Sequence, residues 1–201
     1  WISGFFGSGK SHLLKMLAHL LGDVDGQDFP RNEVSQAFRA KADSALLRAS
    51  MSKAEKIAAR SLLFNIDQKA TVITKDQTDA LLKVFVKVFD ESRGYFGNQG
   101  HVARFERDLD RAGHYVAFQD AFRTLTGKSW LDERKNYIIQ GRNIDRAYAE
   151  VLGGDAPTDI LKQYSNDYSV SIEDFADEVV EWLDQQPAGF RLNFFVNEVG
   201  Q

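Results

Sequence analysis

Glycines at positions 4, 7 and 9, followed by Lys10 and Ser11, constrain this chain more than any other feature. Gly4-Phe-Phe-Gly-Ser-Gly-Lys-Ser11 matches the P-loop pattern G-x-x-x-x-G-K-S/T in full. The spacing has a physical reason. The glycines let the backbone turn tightly, so that successive N–H groups point inward at a phosphate. The lysine sets its ammonium on the β- and γ-phosphates, and the hydroxyl after it ligates Mg²⁺. The context agrees: Trp1-Ile2-Ser3 reads as the end of a buried strand, and Ser11 to Leu21 as the helix whose N-terminus faces the anion. Phosphate contacts are expected from Gly4, Phe5, Phe6, Gly7, Ser8, Gly9, Lys10, Ser11 and His12.

The rest of the 201 residues narrows the class. Fifteen Phe, six Tyr and three Trp are enough for a sizeable core, in one large domain or in one domain with a substantial insertion. With no cysteine, neither a disulfide framework nor a thiolate metal site is available, and the four scattered histidines match no metal-ligand spacing. No apolar run approaches the ~20 residues of a membrane span, and no signal peptide is visible, so a cytoplasmic protein is expected. The chain opens on Trp1 and closes on Gln201 directly after an apolar strand, which points to a piece of a longer protein cut at both ends.

Residues 31–60 carry seven basic side chains against three acidic ones, and residues 155–186 carry nine acidic ones against Lys162 alone. The basic stretch reads as a solvated helix surface rather than a nucleic-acid face, since only Phe38 interleaves it.

Periodicity lays out the elements. Leu13, Leu14, Leu17, Leu20 and Leu21 give an amphipathic helix packed on a sheet, and 22–26 a loop. Asn32 to Arg60 reads as one broken or two short helices with Ser52 a second cap, and Ser61 to Asp67 as a buried parallel strand. Thr74-x-x-Gln77 is a capping box before the apolar stripe Leu81, Leu82, Phe85, Val88 and Phe89. Glycines at 113, 127 and 153–154 fall where helix C-caps would, while Ser129-x-x-Asp132 and Ser171-x-x-Asp174 mark helix starts. The second of these starts carries Phe175, Val179, Val180 and Leu183 at helical spacing, and Phe190 to Val196 then reads as a strand interrupted by Asn193. The expected fold is α/β, a P-loop NTPase core of the additional-strand, catalytic-glutamate type. Residues 1–75 form its first part, 76–186 a mostly helical insertion, and 187–201 the Walker B strand.

What is done with a nucleotide depends on that last strand. Leu192-Asn-Phe-Phe-Val-Asn-Glu198 places Glu198 where a hydrolytic carboxylate stands, but the preceding metal position holds Asn197 in place of Asp. An amide oxygen can accept from a metal-bound water yet lacks the Coulomb attraction to Mg²⁺. Asp67 is a second metal candidate, with no acidic residue after it. No Leu-Ser-Gly-Gly-Gln signature of transporter ATPases is present.

Several segments together resemble one family. Trp1-Ile-Ser-Gly-Phe-Phe-Gly-Ser-Gly-Lys-Ser-His12, Leu63-Phe-Asn-Ile-Asp-Gln-Lys69, Phe105-Glu-Arg-Asp-Leu-Asp110, Thr126-Gly-Lys-Ser-Trp130, Ser171-Ile-Glu-Asp-Phe-Ala176 and Phe195-Val-Asn-Glu-Val-Gly-Gln201 are similar to the large ATPase of bacteriophage-exclusion (BREX) defence systems. The resemblance implies an oligomeric cytoplasmic ATPase that uses ATP and Mg²⁺ as a switch or motor. It would act with other BREX defence proteins, including a DNA methyltransferase, on or near DNA. It carries over Gly4, Gly7, Gly9, Lys10 and Ser11 as phosphate and metal residues and Glu198 as the catalytic carboxylate, with Lys10 beside it. Asn197, a metal residue acting through water, departs from the family's Asp. Two rival readings follow: a nucleotide-binding scaffold with weak hydrolysis, and a small-molecule kinase, disfavoured because no arginine-rich lid follows residue 70.

Overall fold

A computed structural model describes residues 2–4, 7–24, 29–66 and 77–197. Its chain divides into two compact units, one of residues 1–84 with 171–201 and one of residues 85–170.

The first unit is α/β. Helix α1 (Lys10–Leu21) precedes strand β1 (Asp23–Val24), helices α2 (Arg31–Ala40) and α3 (Ala45–Glu55) follow, and then strand β2 (Ala59–Asn65). Strand β3 (Arg191–Asn197) completes a parallel sheet in the order β1-β2-β3. β2 and β3 pair over their whole lengths, from Ala59 opposite Arg191 to Asn65 opposite Asn197. β2 is apolar enough to be buried on both faces, with Ala59, Ser61, Leu62 and Phe64 enclosed. α1 packs on β2 and β3. Successive strand residues point to opposite faces, so Asn193 and Asn197 share the α1 side. Phe194 faces the other way and meets Phe175 of α10 (Ile172–Asp184) edge-on, ring centres 6.2 Å apart.

Several expectations need correction here. Ile2, Ser3 and Gly4 have no regular structure and are exposed, so Ile2 and Ser3 do not belong to a buried strand; Trp1 lies outside the described residues. Asp23 and Val24 are a short strand rather than loop, pairing with Arg60 and Ser61. Gly22 makes that approach possible, since an added Cβ would stand 2.5 Å from Ser61 Oγ and 2.8 Å from the Arg60 carbonyl carbon. The second cap in 31–60 is Ser44, whose Oγ accepts from Leu47 N at 3.3 Å; Ser52 lies within α3 and accepts from Arg39. In α1 the enclosed residue is Ala18, while Leu13 and Leu21 are exposed. Leu81 and Val180, placed on the buried stripes of their helices, are exposed as well. Thr74 and Asp67 lie outside the described residues.

Arg31 shows why the basic stretch is not a plain solvated surface. Its guanidinium donates to Leu20 O at 2.8 and 3.2 Å, to Ala54 O at 2.9 Å and to Ile57 O at 2.8 Å, tying the ends of α1 and α3 together. Arg39 pairs with Glu55 at 3.1 Å.

The described residues between 77 and 190 contain helices and no strand, as the periodicity predicts. α4 (Gln77–Ser92) leads into the second unit. That unit holds α5 (Gly100–Arg111), α6 (Tyr115–Thr126), the short α7 (Trp130–Glu133), a 3-10 turn (Arg134–Asn136), α8 (Tyr137–Leu152) and α9 (Ile160–Asn166). Gly127 and Gly153 are the C-caps of α6 and α8. Ser171 and Asp174 form a reciprocal capping box on α10, whereas Ser129 stands at the N-cap of α7 without a side-chain bond. Phe105, Phe118, Phe122 and Trp130 form an edge-to-face cluster at the centre of the second unit.

Three carboxylates are buried around that cluster, and each is answered. Glu106 accepts from Phe96 N (2.6 Å), Trp130 Nε1 (2.7 Å) and Arg134 Nη1 (3.2 Å). Asp90 accepts from Arg107 (2.6 Å) and Arg93 (3.0 Å), and Asp145 from the backbone of Asp159 and Ile160 at 2.9 Å each. Burial pushes Glu106 and Asp90 above the ordinary carboxylate range, against the pull of their arginines. His101 is also enclosed, edge-on to Tyr137 at 5.0 Å, with Nε2 unpartnered among the described residues, and burial pushes its pKa down.

A depressed imidazole pKa stabilises the folded state above the unfolded-state value and loses that contribution as pH falls through the folded-state value. Glu106 and Asp90, being raised, act with the opposite sign, from the ordinary carboxylate values upward, and are common to the two proteins compared below. In the window just below the ordinary imidazole value of about 6.5, the stability of the chain is therefore expected to decline through His101 as pH falls. Urea melts of His101→Phe should show a flatter profile across that window than the unsubstituted chain.

Candidate functional site

The loop before α1 is shaped by backbone conformation. Gly7 and Gly9 have φ of 79° and 84°, a left-handed region that L side chains avoid, and an added Cβ at either would meet nothing within 4 Å. Glycine is required there for its torsions, not for space. Gly9 is the N-cap of α1 and has no side chain to satisfy the helix's first N–H groups, the first backbone bond being Leu13 N to Gly9 O at 2.9 Å. The first turn of α1 contains no acidic residue. With Ser11 and His12 exposed, the positive dipole end of α1 is a general anion-binding arrangement.

Lys10 begins α1 and folds back over the loop, its Nζ donating to Gly4 O at 2.8 Å. Gly4 is packed close, since an added Cβ would lie 2.7 Å from Ser8 Oγ. Gly4, Gly7, Ser8, Gly9, Ser11 and His12 are exposed and Lys10 half-buried. The contact that extends the site across the fold is Ser11 Oγ donating to Asn197 Oδ1 at 2.9 Å, between residues 186 apart in sequence. Ser8, Lys10, Ser11 and Asn197 thus come together at one end of α1. Phe5, Phe6 and Glu198 lie outside the described residues.

Ser11 Oγ and Asn197 Oδ1 are hard oxygen atoms of the kind Mg²⁺ accepts, but both are neutral. Among the described residues no group of three or more His, Asp or Glu side chains is placed to hold a metal. These residues fit a hydrated cation shared with phosphate oxygens, the manner in which Mg²⁺ is commonly held, rather than a protein-only cage.

One site residue escaped the sequence reading. Asn193 Nδ2 donates to Leu21 O at 3.0 Å and so serves the C-terminus of α1 from the same strand whose last residue serves its N-terminus. Its signal was visible as the polar break in an apolar strand. No protein-family model matches the chain, and no solved structure matches it significantly.

The two asparagines hold opposite ends of α1, four residues or about 13 Å apart along β3. Asn193→Leu and Asn197→Leu should each lower stability by about 1 kcal/mol, as for an ordinary hydrogen bond. At this separation the double variant should lose the sum to within about 0.5 kcal/mol. Equilibrium urea denaturation of the three variants checks both the size and the additivity.

Proposed function

We propose that the chain is the nucleotide-binding part of a P-loop ATPase, of the additional-strand, catalytic-glutamate type. The observation that carries this reading is the 2.9 Å bond between Ser11 and Asn197. A serine chosen from the loop motif and an asparagine chosen as the end of a metal-binding strand meet at one point, although nothing in their sequence separation requires it. The glycine torsions, the uncapped helix end and the absence of a first-turn carboxylate add to it.

In this reading the N–H groups of the loop and of the first turn of α1 receive the β- and γ-phosphates, and Lys10 leaves Gly4 O to neutralise them. Ser11 would ligate the cation and Asn197 would hold it through water; bound Mg²⁺ would screen the phosphate charge and polarise the γ-phosphoryl group. Glu198 is assigned the water-activating role on its sequence position. The resemblance of the loop and of the 195–201 segment to the BREX defence ATPase extends the proposal to a DNA-linked switch or motor with methyltransferase and other defence partners. A second reading, a scaffold that binds ATP and turns it over poorly, is favoured by one specific observation, the uncharged Asn197.

Calorimetry with ATP and Mg²⁺ tests the first step. Lys10→Ala should weaken ATP binding by about 100-fold or more, the scale of a lost desolvated charge contact. Unchanged affinity would overturn the assignment of the loop.

Turnover separates the two readings. Glu198→Gln should leave ATP affinity in place and lower steady-state hydrolysis by about 10²–10⁴-fold, the usual weight of general-base catalysis. Asn197→Asp should raise Mg²⁺ affinity, because it restores a negative charge beside the cation. If hydrolysis is negligible in the unsubstituted protein and rises in Asn197→Asp, the scaffold reading holds.

A further inference from the structure

Helix α8 buries Ile144, Asp145 and Ala147 on one side and presents a different character on the other. Ile138 and Ile139 are 80% and 85% exposed, which is unusual for two adjacent large apolar residues on a helix. Arg142 and Arg146 lie on the same side at helical spacing, and Lys135 in the turn just before the helix continues the line; all three are exposed. Asp132 and Glu150 bound the stripe at its two ends.

Helix α10 carries the complement. It contains six acidic residues and no basic one. One side is engaged, Phe175 with Phe194 and Trp182 with Phe190. On the other, Glu173, Asp177 and Asp184 are exposed, with Val180 54% exposed among them. None of these three carboxylates, nor Lys135, Arg142 or Arg146, is engaged in an ion pair among the described residues.

The spacings of the two stripes coincide. Lys135, Arg142 and Arg146 are separated by seven and then four residues; Asp184, Asp177 and Glu173 follow the same steps with the chain direction reversed. Laid antiparallel, the two helices bring Lys135 to Asp184, Arg142 to Asp177 and Arg146 to Glu173, with Ile139 opposite Val180. Steps of seven and four keep all these positions on one helix face over about 16 Å.

We infer that the α8 stripe of one copy of this chain docks antiparallel on the α10 stripe of a second copy. A nucleic-acid occupant fits less well, because phosphates would leave Ile138 and Ile139 uncovered and would meet Asp132 and Glu150. The contact joins two different surfaces, so each added copy leaves one stripe of each kind available. Such a head-to-tail contact builds chains or closed rings rather than a two-fold dimer. A patch of this size is small for a permanent interface, so association is weak, concentration-dependent and sensitive to salt.

Sedimentation velocity of the full 201-residue chain over a range of micromolar concentrations tests this. The expected result is a mass that grows with concentration and an association constant that falls about tenfold between about 0.05 M and 0.5 M NaCl. Arg142→Glu with Arg146→Glu, and separately Glu173→Arg with Asp177→Arg, should each reduce self-association by at least about tenfold. Mixed in equal amounts, the two reversed proteins should associate again, because one α8–α10 contact then regains like-for-unlike charges. That rescue also answers the concern that either variant is misfolded. A concentration-independent monomer, association untouched by either reversal, failure of the mixture to associate, or loss of DNA or RNA binding by the α8 variant with no change in mass would each overturn the inference.

Discussion

The parallel pairing of β2 with β3 is the constraint on which the α/β unit depends. The strands match residue for residue over seven positions, although the chain between them runs from Ile66 to Phe190. Parallel neighbours always need a crossover, and here that crossover contains a whole helical unit with its own aromatic core. This is thermodynamically tolerable because loop-closure entropy grows only with the logarithm of length, and because the described residues from 77 to 190 are largely helical with a core of their own. Without the pairing, β2 would keep one unpaired edge, and neither asparagine of β3 would reach α1.

α1 is where that pairing acts on the site. A helix of 12 residues is held by β3 at both ends, by a side-chain acceptor at Ser11 and a side-chain donor at Leu21. Arg31 takes the neighbouring carbonyl of Leu20 and joins it to the end of α3. α1 is thus held by polar contacts at both ends as well as by its packing on β2 and β3. Charge follows the same economy. Arg31, Arg39 and Arg48, three of the seven basic residues in 31–60, donate to backbone carbonyls or to neighbouring side chains, so these three guanidinium groups are engaged within the fold.

Much of this was legible in sequence because it rests on local signals. The glycine-lysine-serine loop, the helix after it, the apolar runs of β2 and β3, the glycine C-caps and the capping box at Ser171 all depend on residues within a few positions of one another. What was missed depends on contacts made at a distance. Asp23–Val24 is a strand because β2 lies beside it and Gly22 leaves room, not because two residues have strand character. Ser44 rather than Ser52 caps α3, while Ser52 lies inside the helix and accepts from Arg39 across the α2–α3 pair. Nothing local to Asp90, Glu106 or Asp145 marks a buried carboxylate, since only the arginines, indole and backbone groups folded against them allow their burial. For the site, the loop and the strand end could be nominated separately; that Ser11 and Asn197 touch could not.

If the chain binds a nucleotide as proposed, the electrostatics of that contact separate holding it from cleaving it. Around the loop, the helix dipole and Lys10 are positive, the first turn of α1 lacks an acid, and residue 197 is neutral. A carboxylate at 197 would repel approaching phosphates until a cation came between them, making anion and metal binding strongly interdependent. An asparagine removes that repulsion and with it much of the interdependence. Under the proposed reading, such a site retains the phosphates through N–H groups and Lys10 whether or not a cation accompanies them. Whatever positions Mg²⁺ must then rely on the nucleotide's own oxygens and Ser11. Affinity is preserved by this exchange and metal placement is weakened, so the substitution bears on the chemical step far more than on binding.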